Sequence, residues 1–251
     1  MRALLIHQNQ SNKPIVEISD IPIPVPKSNE VLIKIHACGL CGHDLAVFNG
    51  LLKRGIKNSI VPGHEFSGTV VALGSSVSKL QMNDKVVSAL NVSCGECGNC
   101  SRGNDFRCTK SIGIGSEING GMAEFVAIPE TSLIPIPNGI NPLEAALFPC
   151  PIGVAFNAIT NLPTIDIDQN IILVGAGGGI GTHLLKILAL KHKNIIVITS
   201  SEHKVEPLKT LGAKIVLTTE IDQDFSEMIL AFTEEKGGDV IFNIPGSKSF
   251  E

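Results

Sequence analysis

Two patterns of apolar and polar residues divide the 251-residue chain. Up to about residue 150 they alternate in short runs, as a half-buried strand requires. Val31, Ile33 and Ile35 are interleaved with Leu32, Lys34 and His36. GTVVALG, DKVVSAL and AEFVAIP repeat the theme between Gly, Pro, Asn and Asp residues. Pro14, Pro22, Pro24 and Pro26 mark an extended, turn-rich entry. This grammar predicts an irregular β-barrel with long loops. From about residue 155 it changes. NIILVGAG, IIVITS, KIVLTT and DVIFNI read as buried strands. Between them GIGTHLLKILALKHK, SEHKVEPLKTLGA and FSEMILAFTEEKGG read as helices, with Pro207 kinking the second or delaying its start. Strand–helix alternation predicts an α/β unit with a parallel sheet. The expected domains are residues 1–153 and 154–251.

Composition narrows the class. Apolar residues make up 43% of the chain, enough for a real core. A net charge of -4 gives no electrostatic reason to expect nucleic acid or an anionic membrane as partner. The first ten residues are apolar only over Ala3 to Ile6, too short for a secretory signal, and no run approaches a membrane span. The expectation is a cytoplasmic protein, in whose reducing setting clustered cysteines bind metal rather than form disulfides.

Four of the seven cysteines, Cys94, Cys97, Cys100 and Cys108, fall in CGECGNCSRGNDFRC. The spacing C-x2-C-x2-C-x7-C lets four thiolates close a tetrahedron around one soft ion, most simply Zn²⁺. They define an expected structural-zinc lobe over about residues 91–110.

VGAGGGIGTH follows a predicted strand and opens a predicted helix, the context of a dinucleotide-binding loop. Gly175, Gly177, Gly178, Gly179, Ile180 and Gly181 are the expected contacts. The spacing fits G-x-G-x-x-x-G from Gly175 or A-x-G-x-x-G from Ala176. At the next strand's end an NAD site places an acid; here stand Thr199, Ser200 and Ser201, with Lys204 one helical step on. Hydroxyls and a cation suit a 2′-phosphate, so NADP(H) is expected ahead of NAD(H). Ser201 also suits the N-cap of the following helix.

The remaining ligand types lie apart: Cys41 and His43 in CGLCGHDL, His64 and Glu65 in PGHEFSG, Cys150 in LFPCPIG. In order with the four-cysteine lobe, NGGMAEF, FPCPIGVAFNA and VGAGGGIG, they resemble the zinc-dependent medium-chain dehydrogenase/reductases, the alcohol dehydrogenase superfamily. The resemblance implies a GroES-like β-barrel catalytic domain followed by a Rossmann doubly wound parallel sheet. It implies Cys41, His64 and Cys150 as ligands of a catalytic zinc, two Zn²⁺ per chain, Glu65 behind the metal and Asp44 orienting His64. It implies hydride transfer between a nicotinamide cofactor and an alcohol, aldehyde or ketone.

The chain departs from that pattern in two ways. His43 stands where the family starts its proton relay with Ser or Thr; it is the expected acid/base, the alternative being that it lines the substrate pocket or touches a cofactor phosphate. The family's sheet continues beyond the last strand here, so a partial Rossmann unit is expected, with strand order third–second–first–fourth and completion by a second copy or a complementing chain. The wording of several motifs also resembles acryloyl-CoA-type reductases, which makes an NADPH-dependent enoyl-thioester reductase the alternative. An inactive zinc-binding fragment is the second.

Overall fold

A computed structural model describes residues 1–8, 13–53, 55–218 and 224–245. The chain forms two compact units, Met1–Cys150 and Pro151–Glu251.

The first unit contains β1 (Arg2–His7), β2 (Ile15–Asp20), β3 (Glu30–Cys38), helix α1 (Gly42–Phe48), β4 (Ser59–Ile60), β5 (Phe66–Leu73), β6 (Lys85–Ser88), β7 (Asn91–Val92), β8 (Ile112–Gly113), β9 (Phe125–Pro129), β10 (Leu133–Pro135) and α2 (Pro142–Ala145). Its main sheet is antiparallel in the order β10-β6-β5-β3-β9. The alternation in β3 is what places it centrally: Val31 and Ile33 are fully buried while Lys34 and His36 face out. They pack with Phe66, Val70, Val86, Val126 and Ile128 into one apolar cluster. Register shifts between Leu32 and Ile33 and between Ile35 and Ala37 bend β3 against β5, curling the sheet into a half-barrel. A second sheet, β2-β1-β4, flanks it. The cysteine lobe is tied by the β7–β8 pair and two 3₁₀ turns, Cys100–Arg102 and Asp105–Arg107.

The second unit follows the alternating grammar: α3 (Gly153–Thr160), β11 (Ile171–Val174), α4 (Gly179–Ala189), β12 (Ile195–Thr199), α5 (Val205–Thr210), β13 (Ile215–Thr218), α6 (Ser226–Phe232) and β14 (Val240–Asn243). All pairings are parallel, in the order β13-β12-β11-β14, the expected third–second–first–fourth arrangement of a Rossmann-type sheet. Every residue of β11 and β12 is buried, because helices cover both faces. Leu184, Leu185 and Leu188 of α4 fill one side with Ile171, Leu173 and Val197. Ile229 of α6 fills the other with Ile172, Val174 and Ile198.

Two helices differ from the sequence pattern. Pro207 delays α5, which is preceded by a 3₁₀ turn, Glu202–Lys204. Helix α6 stops at Phe232, short of TEEKGG, because Glu234 and Glu235 take left-handed φ values of 53° and 65°. Thr219, the last residue of the predicted KIVLTT strand, and residues 246–251 of the expected second domain lie outside the described residues. No described helix is long and apolar enough to cross a membrane.

Candidate metal and nucleotide sites

The four lobe cysteines converge. Their sulfurs stand 3.5 Å apart for Cys94–Cys108 and Cys97–Cys100, and 4.0 Å apart for Cys94–Cys100 and Cys97–Cys108. A Zn–S bond of about 2.3 Å gives a tetrahedron with edges of about 3.8 Å, which these distances bracket. Three backbone N–H groups donate to the sulfurs: Cys94 to Cys108, Cys97 to Cys94 and Lys110 to Cys108. Such donors favour thiolates. The Cys100 and Thr109 amides bring Cys97 down to about 5, whereas desolvation and the Cys97 thiol raise Cys100 to about 12. All seven cysteines are free thiols.

A second cluster is assembled from three distant segments. Ligand atoms of Cys41, His64, Glu65 and Cys150 all lie within 4.8 Å of one another. Cys41 is the N-cap of α1. Its Sγ accepts from the His43 amide, and Asp44 Oδ2 accepts from the Cys41 amide at 2.9 Å, a reciprocal capping box with a thiol in the usual hydroxyl's place. His64 and Glu65 sit on the loop leading into β5. Gly63 turns that loop with φ +95°; a Cβ there would lie 2.5 Å from Cys38 Sγ and 2.8 Å from Met122 Cγ. Ser88, fully buried at the end of β6, fixes the loop by donating to the His64 carbonyl and accepting from the Phe66 amide. Cys150 occupies a π-helical turn, Phe148–Ile152, where Pro149 and Pro151 lack the N–H an α-helix needs.

The electrostatics of this cluster are those of a cation site. The Cys150 thiol, the His64 imidazole and the His43 amide favour the Cys41 thiolate against burial and bring it down to about 3. Cys150 is pushed up by that thiolate and by burial. Burial opposes the His64 imidazolium, but Cys41, Asp44 and Glu65 outweigh it and raise His64. Burial raises Glu65 and Asp44. Glu65 is 2% exposed and its Oε1 has no hydrogen-bond partner. Two thiols, an imidazole and an orphaned carboxylate oxygen in one sphere are a donor set that fits Zn²⁺.

The other expected residues take definite places. Cys41 Sγ is 3.4 Å and Glu65 Oε1 3.8 Å from His64 Nε2. Asp44 Oδ1 is 3.8 Å from His64 Nδ1, a charge contact longer than a hydrogen bond. His43 is exposed, its ring edge-on to His64 at 5.4 Å. Sequence reasoning did not single out Ser88 or Gly63. A buried serine closing the VVS run was the only signal for the first, and nothing in PGHEF marked the sign of φ for the second.

In the second unit the loop after β11 favours the Ala176 frame. Gly178 is the N-cap of α4 with nothing within 4 Å of where a Cβ would sit, leaving the backbone open to approach. A Cβ on Gly181 would lie 2.5 Å from Ala176 Cα and 2.6 Å from the Gly175 carbonyl, so glycine lets the helix pack onto the strand end. Gly175 turns the chain with φ +83°. At the end of β12 the expected roles change. Ser201 makes no side-chain cap bond; Thr199, buried, accepts from the Ser201 amide at 3.2 Å instead. Ser200 is exposed, and Lys204 Nζ donates to the Gly177 carbonyl at 2.8 Å.

Comparison with known proteins agrees with both units. The alcohol dehydrogenase GroES-like domain family matches residues 27–138, and the zinc-binding dehydrogenase family matches residues 179–251. An L-threonine 3-dehydrogenase of Xanthomonas oryzae pv. oryzae is 32% identical over 98% of this chain and 71% of its own. The chain belongs to the zinc-dependent medium-chain dehydrogenase/reductase family. Other members similar to it are zinc-type alcohol dehydrogenase B of Aspergillus flavus, 31% identical over 98% of this chain and 58% of that protein, and acryloyl-coenzyme A reductase of Sulfurisphaera tokodaii, 29% identical over 83% and 62%. This family member thus spans about three fifths to seven tenths of such relatives. Among solved structures, a zinc-binding dehydrogenase of Sinorhizobium meliloti bound to NADP superposes with a TM-score of 0.74 (26% identity, 86% of this chain, 62% of that one). An alcohol dehydrogenase of Escherichia coli CFT073 complexed with NADH superposes with a TM-score of 0.83 (26%, 98%, 70%).

Proposed function

We propose that this family member binds zinc at both clusters and NADP(H) at the glycine loop, and transfers hydride between that cofactor and an alcohol, aldehyde or ketone. The observation that carries the reading is the meeting of Cys41, His64, Glu65 and Cys150 within 4.8 Å, from segments far apart in sequence. A site built from distant loops around an orphaned carboxylate oxygen is the kind that keeps a coordination position for substrate. Bound there, zinc supplies Lewis-acid polarisation of a substrate carbonyl or alcohol, and the nicotinamide supplies or accepts the hydride.

The chain's own residues do the rest. Cys41 and Cys150 provide thiolates and His64 provides Nε2, while Asp44 faces its Nδ1 and keeps the ring oriented. Glu65 can sit behind the ligands because residue 39 is glycine: a Cβ there would overlap its Oε2. His43 is exposed, with its ring edge-on to His64 at 5.4 Å, and is assigned to the substrate oxygen. In the nucleotide unit Ser200, Ser201 and Lys204 replace the acid that would repel a 2′-phosphate. The NADP-bound relative supports that choice and the NADH-bound one does not, so the preference rests on these residues. β14 is an edge strand whose Ile241 is 51% exposed, which favours a second copy or a complementing chain beside it. Seven free thiols favour the cytoplasm.

The likeness to acryloyl-coenzyme A reductase favours one second reading, reduction of an enoyl thioester on the same scaffold. The deciding experiment is metal analysis of the purified chain followed by NADPH oxidation with an aldehyde series and with acryloyl-CoA. The expected result is two zinc per chain and turnover of aldehydes that Cys41→Ser abolishes. Turnover of acryloyl-CoA alone would install the second reading. Two zinc per chain without NADPH binding would leave only a metal-stabilised scaffold.

A further inference from the structure

A cavity in the second unit lies away from the glycine loop. It has a volume of about 530 Å³ and is lined by Ile159, Leu162, Pro163, Thr164, Ile165 and Ile167, together with Lys191 and His192. Its size falls in the roughly 300–1,000 Å³ range of small-molecule pockets. These residues precede β11 and β12, whereas the glycine loop follows β11, so the cavity sits at the opposite end of the parallel sheet.

His192 is the informative residue. It is only 8% exposed, yet its Nδ1 is sealed from solvent with no hydrogen-bond partner. A buried N–H without an acceptor is rarer than a buried bare acceptor, so the lone pair is assigned to Nδ1 and the ring N–H to Nε2. The ring that lines the cavity therefore offers a donor, and Lys191 beside it offers an ammonium. Asp166 and Asp168 alternate with Ile165 and Ile167 and do not line the space. Two donors from adjacent residues beside a largely aliphatic lining suit an anionic head and an apolar tail.

We propose that this cavity binds a small aliphatic carboxylate, its head on His192 Nε2 and Lys191 and its tail among Ile159, Leu162, Ile165 and Ile167. The site is independent of the metal clusters and of the nucleotide loop.

The test uses the zinc-loaded full chain with hexanoate, hexan-1-ol and hexylamine as probes. Binding is followed by calorimetry and by the ring ¹⁵N resonances of the histidines. Hexanoate is expected to saturate and to shift His192 Nε2, with hexan-1-ol at least tenfold weaker and hexylamine weaker still. Lys191→Met, a surface change, should weaken hexanoate at least tenfold while leaving the melting temperature and NADPH binding as they are. His192→Phe should abolish the interaction. Equal affinity for acid and alcohol, hexanoate shifts confined to His64 and the metal clusters, or unchanged hexanoate binding by Lys191→Met would each overturn the proposal. Because NADPH binding is read separately, its loss would count against the nucleotide assignment and not against this site.

Discussion

The Lys204 ammonium is bonded to the Gly177 carbonyl at 2.8 Å, and its Cδ lies 2.7 Å from where a Gly177 Cβ would be. A residue beyond the second strand of the parallel sheet thus reaches back over the loop that follows the first. Under the proposed cofactor assignment this cation lies beside a loop that accepts phosphate charge, and its bond ties that loop to the turn after β12. Lys204→Met is expected to weaken NADPH binding about tenfold, roughly 1.4 kcal/mol, with zinc content unchanged. Fluorescence titration of NADPH checks this; equal affinity would reduce Lys204 to a strut.

Two glycines of the same loop should respond in opposite ways. Gly181→Ala drives a methyl into Ala176 Cα and the Gly175 carbonyl, which are backbone and cannot step aside. A loss of about 1–3 kcal/mol in a urea melt is expected. Gly178→Ala meets open space and should cost about 1 kcal/mol or less, as an N-cap change does. It should nonetheless weaken the cofactor, because the methyl occupies the approach to the backbone.

Gly63→Ala tests how the His64 loop is held. The substitution combines a φ of +95° with contacts of 2.5 Å to Cys38 Sγ and 3.0 Å to the Met122 amide nitrogen. Strain of about 1–3 kcal/mol is expected, together with partial loss of the ion at Cys41, His64 and Cys150. Zinc analysis beside a thermal melt separates the two effects.

The two clusters should fail differently. Cys108→Ser removes one corner of the lobe tetrahedron, so zinc should fall to one per chain and the melting temperature should drop. Cys41→Ser should also leave one zinc per chain but remove turnover with a smaller change in melting. Identical behaviour of the two variants would mean that the clusters are not separate sites.

Glu130 gives a pH dependence that involves no candidate metal ligand. Its carboxylate accepts from the Lys79 amide at 2.8 Å and from the Ser78 amide at 3.1 and 3.2 Å, and these bonds lower its pKa. A depressed folded-state value contributes stability above the unfolded value, near 4.5, and that contribution is lost as pH falls through the folded one. Glu130→Gln should therefore be less stable than the parent at pH 7, by about 1 kcal/mol or less given solvent screening, and equal to it in strong acid. Chemical melts at several pH values show whether the gap closes.

The sequence was most legible where one physical demand dominated. Strands β11 and β12 are buried on both faces and therefore read as unbroken apolar runs. The lobe was legible because four thiols cannot share an ion unless they are close. Helix α1 was not, since GHDLAVF is short, begins with glycine and is capped by a cysteine rather than a hydroxyl. Strand β2 was missed because, as an edge strand, it has hardly any buried residue to impose a period. The end of α6 depended on left-handed glutamates that no propensity favours. The surroundings of the hydroxyls after β12 were equally hidden: Thr199, Ser200 and Ser201 look alike in sequence, but Thr199 accepts from the Ser201 amide whereas Ser200 is exposed.

The thiol that starts α1 belongs at once to a helix and to the candidate metal cluster. An ion bound at Cys41 would make its sulfur a poorer acceptor for the His43 amide, so the choice of metal would reach the first turn that carries His43. Replacing zinc with a larger or softer ion would reset the mounting of the side chain assigned to the substrate, without any change of sequence.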